Sequence, residues 1–214
     1  MKEQLASLYE EHHKTRRPQN FAILIKERGA FLRKHIGTGK KVLDIGCRDG
    51  ALMREYMNGN TVTGVDIDRT TLAEAAKLGI TTKFMDLNDE WTELGVGQFD
   101  VVVAAEFLEH IYYPERVLKK IVSVLKPGGL LVGSVPNAFS LKNRLRFFFG
   151  TKKGTPLEDP THINHFSRRE LLGLLRREFV SAEILPLVRK PFSYIAPLAP
   201  GLIAFDLLFV ARKA

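Results

Sequence analysis

The chain has 214 residues, of which 45% are hydrophobic and 26% charged. That is enough for one well-buried core, and it excludes long disorder and a fibrous repeat. A net charge of +8 with a single cysteine excludes a disulfide scaffold and a cysteine-built zinc module, and leaves anionic partners open. Met1 to Leu5 lacks the apolar core of a signal peptide, and the longest apolar run, 195–211, is broken by Pro197, Pro200, Gly201 and Asp206. The expectation is a cytoplasmic protein.

Residues 2–13 and 21–35 read as helices, the second with an apolar face of Phe21, Ile23, Leu24, Ile25, Phe31 and Leu32. Gly37-Thr38-Gly39 closes this region. Strands and helices then alternate. A strand at 41–45 precedes a helix at 51–57, and a strand at 61–65 precedes a helix at 71–78 capped by Arg69-Thr70 and stopped by Gly79. A short strand at 82–85 leads to a strong one at 99–104, where Val101-Val102-Val103 reads as buried on both faces. A helix starting at Pro114 carries Val117, Leu118, Ile121, Val122 and Leu125 and ends at Lys126-Pro127-Gly128-Gly129. A fifth strand fills 130–135, and 137–166 is irregular or partly helical. Ser167 and Glu170 form a capping box ahead of a helix faced by Leu171, Leu172, Leu174, Leu175 and Phe179. Two last strands lie near 180–187 and 205–212. Such alternation implies a parallel sheet covered by helices on both sides.

The run Val42-Leu43-Asp44-Ile45-Gly46-Cys47-Arg48-Asp49-Gly50 leads from a buried strand into a glycine turn. Glycine lets a ligand approach the backbone, and a helix from Ala51 is expected to aim N–H groups at that space. A dinucleotide fingerprint, G-x-G-x-x-G, is not met, because Arg48 and Ala51 occupy its later glycine positions. Asp66 closes the second strand, where a carboxylate accepts both ribose hydroxyls and repels a 2′-phosphate.

The spacing Asp44-x-Gly46-x-Arg48-x-Gly50 resembles the first motif of class I S-adenosylmethionine-dependent methyltransferases. Val65-Asp66-Ile67-Asp68, Met85-Asp86-Leu87, Phe99-Asp100-Val101 and Leu125-Lys126-Pro127-Gly128-Gly129 follow in the family's order, so the resemblance spans Lys40 to Asn137. It implies an α/β, Rossmann-like doubly wound sheet of seven strands, mostly parallel with the last antiparallel. It also implies one domain, with a helical cap at 1–39, a cofactor-binding core at 40–136, an acceptor-side insertion at 137–169 and a C-terminal helix and strands at 170–214. S-adenosyl-L-methionine would contact Asp44, Gly46, Cys47, Gly50, Asp66, Ile67, Asp86, Leu87 and Ala105, with Asp86 reading the adenine amino group. Arg17 would reach the methionine carboxylate as the leading helices close. Arg48 stands where the family has glycine. A positive φ there would strain it, and its side chain either faces the methionine end or, the favoured reading, leaves the turn for solvent.

A hydroxyl acceptor must lose its proton to a side chain or a metal. Glu106, Glu109 and His110 resemble the ExxEH segment of the polyprenyl-quinone O-methyltransferases, which implies a divalent metal, Mg2+ suiting oxygen-rich ligands. The alternative is that Glu109 and His110 hydrogen-bond the loop over the cofactor. His110, His162 and His165 are the candidate bases, since histidine titrates near neutral pH, and each has a loop-anchoring alternative. The segment 136–150 is basic and aromatic, and resembles the acceptor-side insertion of small-molecule, glycan or lipid-pathway methyltransferases. With Pro191–Ile203 it would form a lid over a lipid-linked acceptor and touch a membrane peripherally, or else pack on the core. The resulting expectation is O-methylation of a small or lipid-linked molecule. The rivals are an RNA methyltransferase, disfavoured because no RNA-binding module or Asn/Asp-Pro-Pro-aromatic signature is present, and a non-catalytic cofactor-binding partner, which similarity to methionine-biosynthesis-associated methyltransferases allows. Oligomeric state is unspecified.

Overall fold

The computed structural model describes residues 2–16, 18–188 and 199–214. Two helices, α1 (Lys2–Arg16) and α2 (Ile25–Ile36), precede the sheet. The strands are β1 (Lys41–Ile45), β2 (Thr61–Asp66), β3 (Thr81–Phe84), β4 (Phe99–Ala105), β5 (Leu125–Pro136), β6 (Ser181–Leu187) and β7 (Asp206–Arg212). The remaining helices are α3 (Arg69–Ala76), α4 (Pro114–Val124), α5 (Leu141–Phe148), α6 (Arg168–Leu175) and the short α7 (Pro200–Ile203). The strands form one seven-stranded sheet in the order β3-β2-β1-β4-β5-β7-β6, parallel except that β7 runs antiparallel to both β5 and β6. This is the doubly wound arrangement expected from the sequence.

Strand residues alternate between two apolar layers, which is why the central strands read as continuous hydrophobic runs. Val42, Val101, Val103 and Val132 pack with Phe31, Leu32 and Ile36 of α2. Leu43, Ile45, Val102, Ala104 and Leu131 pack with Leu118, Ile121, Leu171 and Phe209. Gly133 permits the closest approach: a Cβ there would lie 2.0 Å from the Ala104 carbonyl oxygen. Among the described residues no helix is long and apolar enough to cross a membrane.

Four local expectations are corrected. Residues 51–57 do not form a helix. Only a 3-10 turn over Met53–Glu55 appears, because Tyr56 is drawn inward to donate to Asp44 Oδ2 at 2.6 Å, and Asn58-Gly59 turns the chain. The helix N-terminus expected at Ala51 is therefore not formed behind the glycine turn. The N-cap of α3 is Asp68, whose carboxylate accepts from the Thr70 and Thr71 amides, rather than Arg69-Thr70. Helix α2 starts at Ile25, after Leu24 takes a left-handed conformation at φ 54°, which leaves Phe21 and Ile23 outside it. Lys126-Pro127-Gly128-Gly129 lies inside β5, and the pairing register with β4 shifts between Phe99 and Val101 to accommodate it. The Ser167–Glu170 capping box is present with both of its hydrogen bonds.

Candidate functional site

In-register pairing of β1 with β2 and β4 sets Asp44 beside Gly64 and Val103. The ends of these three strands therefore fall on one edge, where strand order reverses between β1 and β4 and open sheets place their ligands. A cleft of about 340 Å³ lies there, within the range of small-molecule sites. Asp44, Gly46, Cys47, Asp66, Ile67, Asp86, Leu87, Ala105, Glu106 and His110 all line it.

Gly46 turns the chain at φ 73°, and a Cβ there would meet the Phe107 ring at 2.9 Å. Asp66 is buried, and its two oxygens accept from the Arg48 amide at 2.8 Å and the Asp68 amide at 3.0 Å. Burial raises its carboxyl from the usual value, against those hydrogen bonds. Asp44 is more strongly affected: burial pushes it up to about 7 despite the Tyr56 hydrogen bond. Asp86 accepts from both nitrogens of Asn88 at 2.9 Å, which orients its carboxylate. Cys47 is buried, and its thiol is pushed up by the same desolvation.

Arg48 has φ 48°, the strained left-handed region. Its side chain does not go to solvent. It donates to the Phe21 and Pro18 carbonyls at 3.2 and 3.3 Å, and so braces the loop ahead of α2 that walls the cleft. Gly50 does not line the cleft; a Cβ there would strike Leu78 at 2.6 Å, so the residue serves the turn. Arg17 lies outside the described residues.

Helix α1 covers the cleft with Tyr9, His12 and His13. His13 Nδ1 lies 2.8 Å from Asp68 Oδ2, and His12 Nε2 lies 3.6 Å from Asp159 Oδ2, so α1 is tied to both walls. Burial works to raise the Asp68 carboxyl, but the His13 and backbone hydrogen bonds outweigh it and hold Asp68 below its usual value.

On the opposite wall, His110 Nδ1 lies 3.0 Å from the Thr161 carbonyl oxygen. A carbonyl only accepts, so Nδ1 carries the hydrogen and Nε2 is the basic nitrogen. His162 Nδ1 makes the same contact with the Pro156 carbonyl at 3.0 Å, and the two imidazoles meet edge to face with centroids 4.8 Å apart. His165 faces a separate shallow hollow with Pro114 and Gly173.

The ExxEH residues part company. Glu106, at φ 54°, accepts from Ser134 and pairs with Arg28 at 3.0 Å. Arg28 is 3% exposed and also holds Asp206, its Nε at 3.1 Å. Burial opposes the Arg28 charge, and Glu106 and Asp206 more than offset that. Glu109 is 2% exposed, and neither of its carboxylate oxygens has a hydrogen-bond partner among the described residues. Burial, and then Glu106, push its carboxyl well up. Donor atoms of Glu109, His110 and His162 lie within 4.8 Å of one another.

A family model described as a methyltransferase domain matches residues 13–178. The chain belongs to this methyltransferase domain family. Among curated relatives, the ubiquinone biosynthesis O-methyltransferase of Nitrosococcus oceani is 34% identical over 114 residues, covering 50% of this chain and 48% of that protein. Its counterpart in Pseudomonas aeruginosa is 38% identical over 106 residues, covering 46% and 45%. The chain thus spans about half the length of these relatives. A SAM-dependent methyltransferase structure from Archaeoglobus fulgidus superposes with a TM-score of 0.69 at 20% identity, over 96% of this chain and 99% of that one. A possible histamine N-methyltransferase from Thermotoga maritima gives 0.66 at 17% identity, over 99% and 98%. At such identities these structures speak for the fold alone.

Several residues of this cleft escaped the sequence. Tyr9, His12 and His13 left one signal, an adjacent histidine pair on a helix with Tyr9 one turn before His13. Arg28 left another, a lone arginine on the apolar stripe with Phe31 and Leu32. Neither names its partner, since His13–Asp68 and Arg28–Asp206 join positions 55 and 178 residues apart.

Proposed function

We propose that this methyltransferase binds S-adenosyl-L-methionine in the cleft and transfers its methyl group to a hydroxyl oxygen of a small or lipid-linked molecule. Asp66 receives the ribose hydroxyls, Asp86 and Leu87 the adenine ring, and Gly46, Cys47 and Ala105 give the backbone clearance for the remainder. His110 carries the acceptor chemistry. Its Nδ1–H is committed to the Thr161 carbonyl, so Nε2 is a base on the cleft wall. His110 Nε2 takes the hydroxyl proton as the new O–C bond forms and the C–S bond breaks, its electron pair staying on sulfur. Alignment by the cleft contributes on the order of 7–11 kcal/mol to such an in-line displacement. The oxygen preference is supported by the ubiquinone biosynthesis O-methyltransferases that match half the chain. The exposed apolar rim of Leu8, Phe21, Tyr112 and Ile163 supports an acceptor with an apolar portion.

Glu109 favours a second reading. A buried carboxylate whose oxygens lack partners is costly unless something else satisfies them. With His110 and His162, whose Nδ1 atoms both contact carbonyls, it offers a three-residue donor set for a divalent cation. Such a cation would lower the acidity threshold of a bound hydroxyl. The nitrogen-rich set suits zinc better than Mg2+, and Glu106 is engaged by Arg28 instead.

Incubation with methyl-labelled cofactor and a panel of simple and prenylated phenols tests the main reading. Labelled ether and S-adenosylhomocysteine are the expected products, and failure to bind the cofactor at all would sink it. Equilibrium dialysis against zinc, comparing wild type with Glu109→Gln, tests the second: equal uptake would remove Glu109 as a ligand.

A further inference from the structure

Helix α5 is amphipathic in the inverted sense. Its one buried residue is a polar one, Asn143, whose amide donates to the Asn137 carbonyl at 2.9 Å. Three of its four apolar residues point outward, Phe147 being half-buried. Leu141, Leu145 and Phe148 share one face at helical spacing and are 50%, 52% and 82% exposed, and the adjoining Phe149 is 76% exposed. The Phe148 and Phe149 rings meet edge to face at 5.4 Å, so the pair presents one aromatic ridge. A surface helix ordinarily buries such a stripe, and contiguous exposed apolar patches of this kind mark interaction sites.

The charge around the ridge selects the partner. Residues 141–153 contain Lys142, Arg144, Arg146, Lys152 and Lys153 and no acidic residue. A second copy of the chain would bring a like-charged face against this one. An anionic bilayer instead offers both things the surface lacks, negative headgroups for the basic rim and an acyl boundary for the aromatic ridge. The position in the fold agrees. Helix α5 follows the end of β5, whose Ser134 pairs beside Ala105 at the lip of the cleft. Docking by α5 would therefore hold the mouth side of the protein near the membrane.

We infer that α5 and the following basic turn form a peripheral docking surface for anionic lipid bilayers. This goes beyond the methyl-transfer reading and is measured without turnover. The full chain is floated with vesicles of phosphatidylcholine, with and without phosphatidylglycerol, at low and high salt. Binding is expected only to the anionic vesicles and is expected to weaken with salt. Phe148→Ser with Phe149→Ser should weaken it by about tenfold or more, and Lys152→Glu with Lys153→Glu should weaken it independently. Both pairs are surface changes, so unaltered thermal melts would accompany the loss. No binding to anionic vesicles, or undiminished binding by both variants, would overturn the inference. So would a ridge-dependent dimer, or ridge-dependent association with single-stranded RNA, in protein that ignores vesicles.

Discussion

The Arg48 amide donates to Asp66 Oδ2 at 2.8 Å, joining the glycine turn after β1 to the carboxylate that ends β2. The bond fixes the acceptor geometry of Asp66 before any ligand arrives, and the left-handed conformation of Arg48 is what aims that amide. The Arg48 guanidinium meanwhile holds the Pro18 and Phe21 carbonyls. Strain of about 1–2 kcal/mol for a non-glycine residue in this region is offset by bracing on two sides.

Asp66→Asn should weaken S-adenosylmethionine binding strongly, and because its side-chain nitrogen would face either the Arg48 or the Asp68 amide it should also loosen the turn locally. The substitution keeps the shape and removes the charge from two hydrogen bonds to ribose hydroxyls, each worth about 1.5–3 kcal/mol. Calorimetric titration checks it, and an unchanged affinity would mean the ribose lies elsewhere.

Cofactor binding should release a proton below neutral pH. Burial holds the Asp44 carboxyl at about 7, against 3.8 ordinarily. The protonated form stabilises the fold fully below the unfolded value, and that contribution is lost as pH rises through 7. A cationic sulfonium and ammonium favour the ionised form, so affinity should rise as pH approaches 7 and flatten above it. Titrations in buffers of different ionisation heats would reveal the proton, and Asp44→Asn should abolish the slope.

His110→Gln should lower turnover by about 10²–10⁴ while cofactor affinity stays within error. Glutamine retains a donor for the Thr161 carbonyl and removes the base. Single-turnover rates beside binding constants separate the two effects, and near-normal turnover would dismiss His110.

Gly133→Ala should destabilise the β4–β5 pair. The added Cβ meets the Ala104 carbonyl oxygen and, at 2.6 Å, the Phe209 ring. Overpacking of this kind costs about 1–3 kcal/mol, a fall of about 2–4 °C in Tm per kcal/mol at this chain length. A thermal melt measures it directly.

Much of the fold was legible because each central strand carries its own apolar run. The alternation from Val42 to Val135 therefore yields strand number and sequence order without long-range information. The strand-end positions of Asp44, Asp66 and Asp86 follow from the same regularity. What failed was local structure overruled by tertiary demands. Residues 51–57 have helical composition, but Tyr56 is taken by Asp44. Lys126 to Gly129 has turn composition, but β4 and β7 pull it into the sheet. The histidines could not be sorted from sequence. His162 joins His110 while His165, three residues on, faces another hollow, and only the course of the 156–166 loop decides between them.

A crystal structure with S-adenosylhomocysteine tests the account most directly. It should place the ribose hydroxyls on Asp66, the adenine beside Asp86 and Leu87, and His110 Nε2 facing the space beyond the sulfur. A nucleoside bound away from Asp66, or a His110 ring turned out of that space, would contradict it.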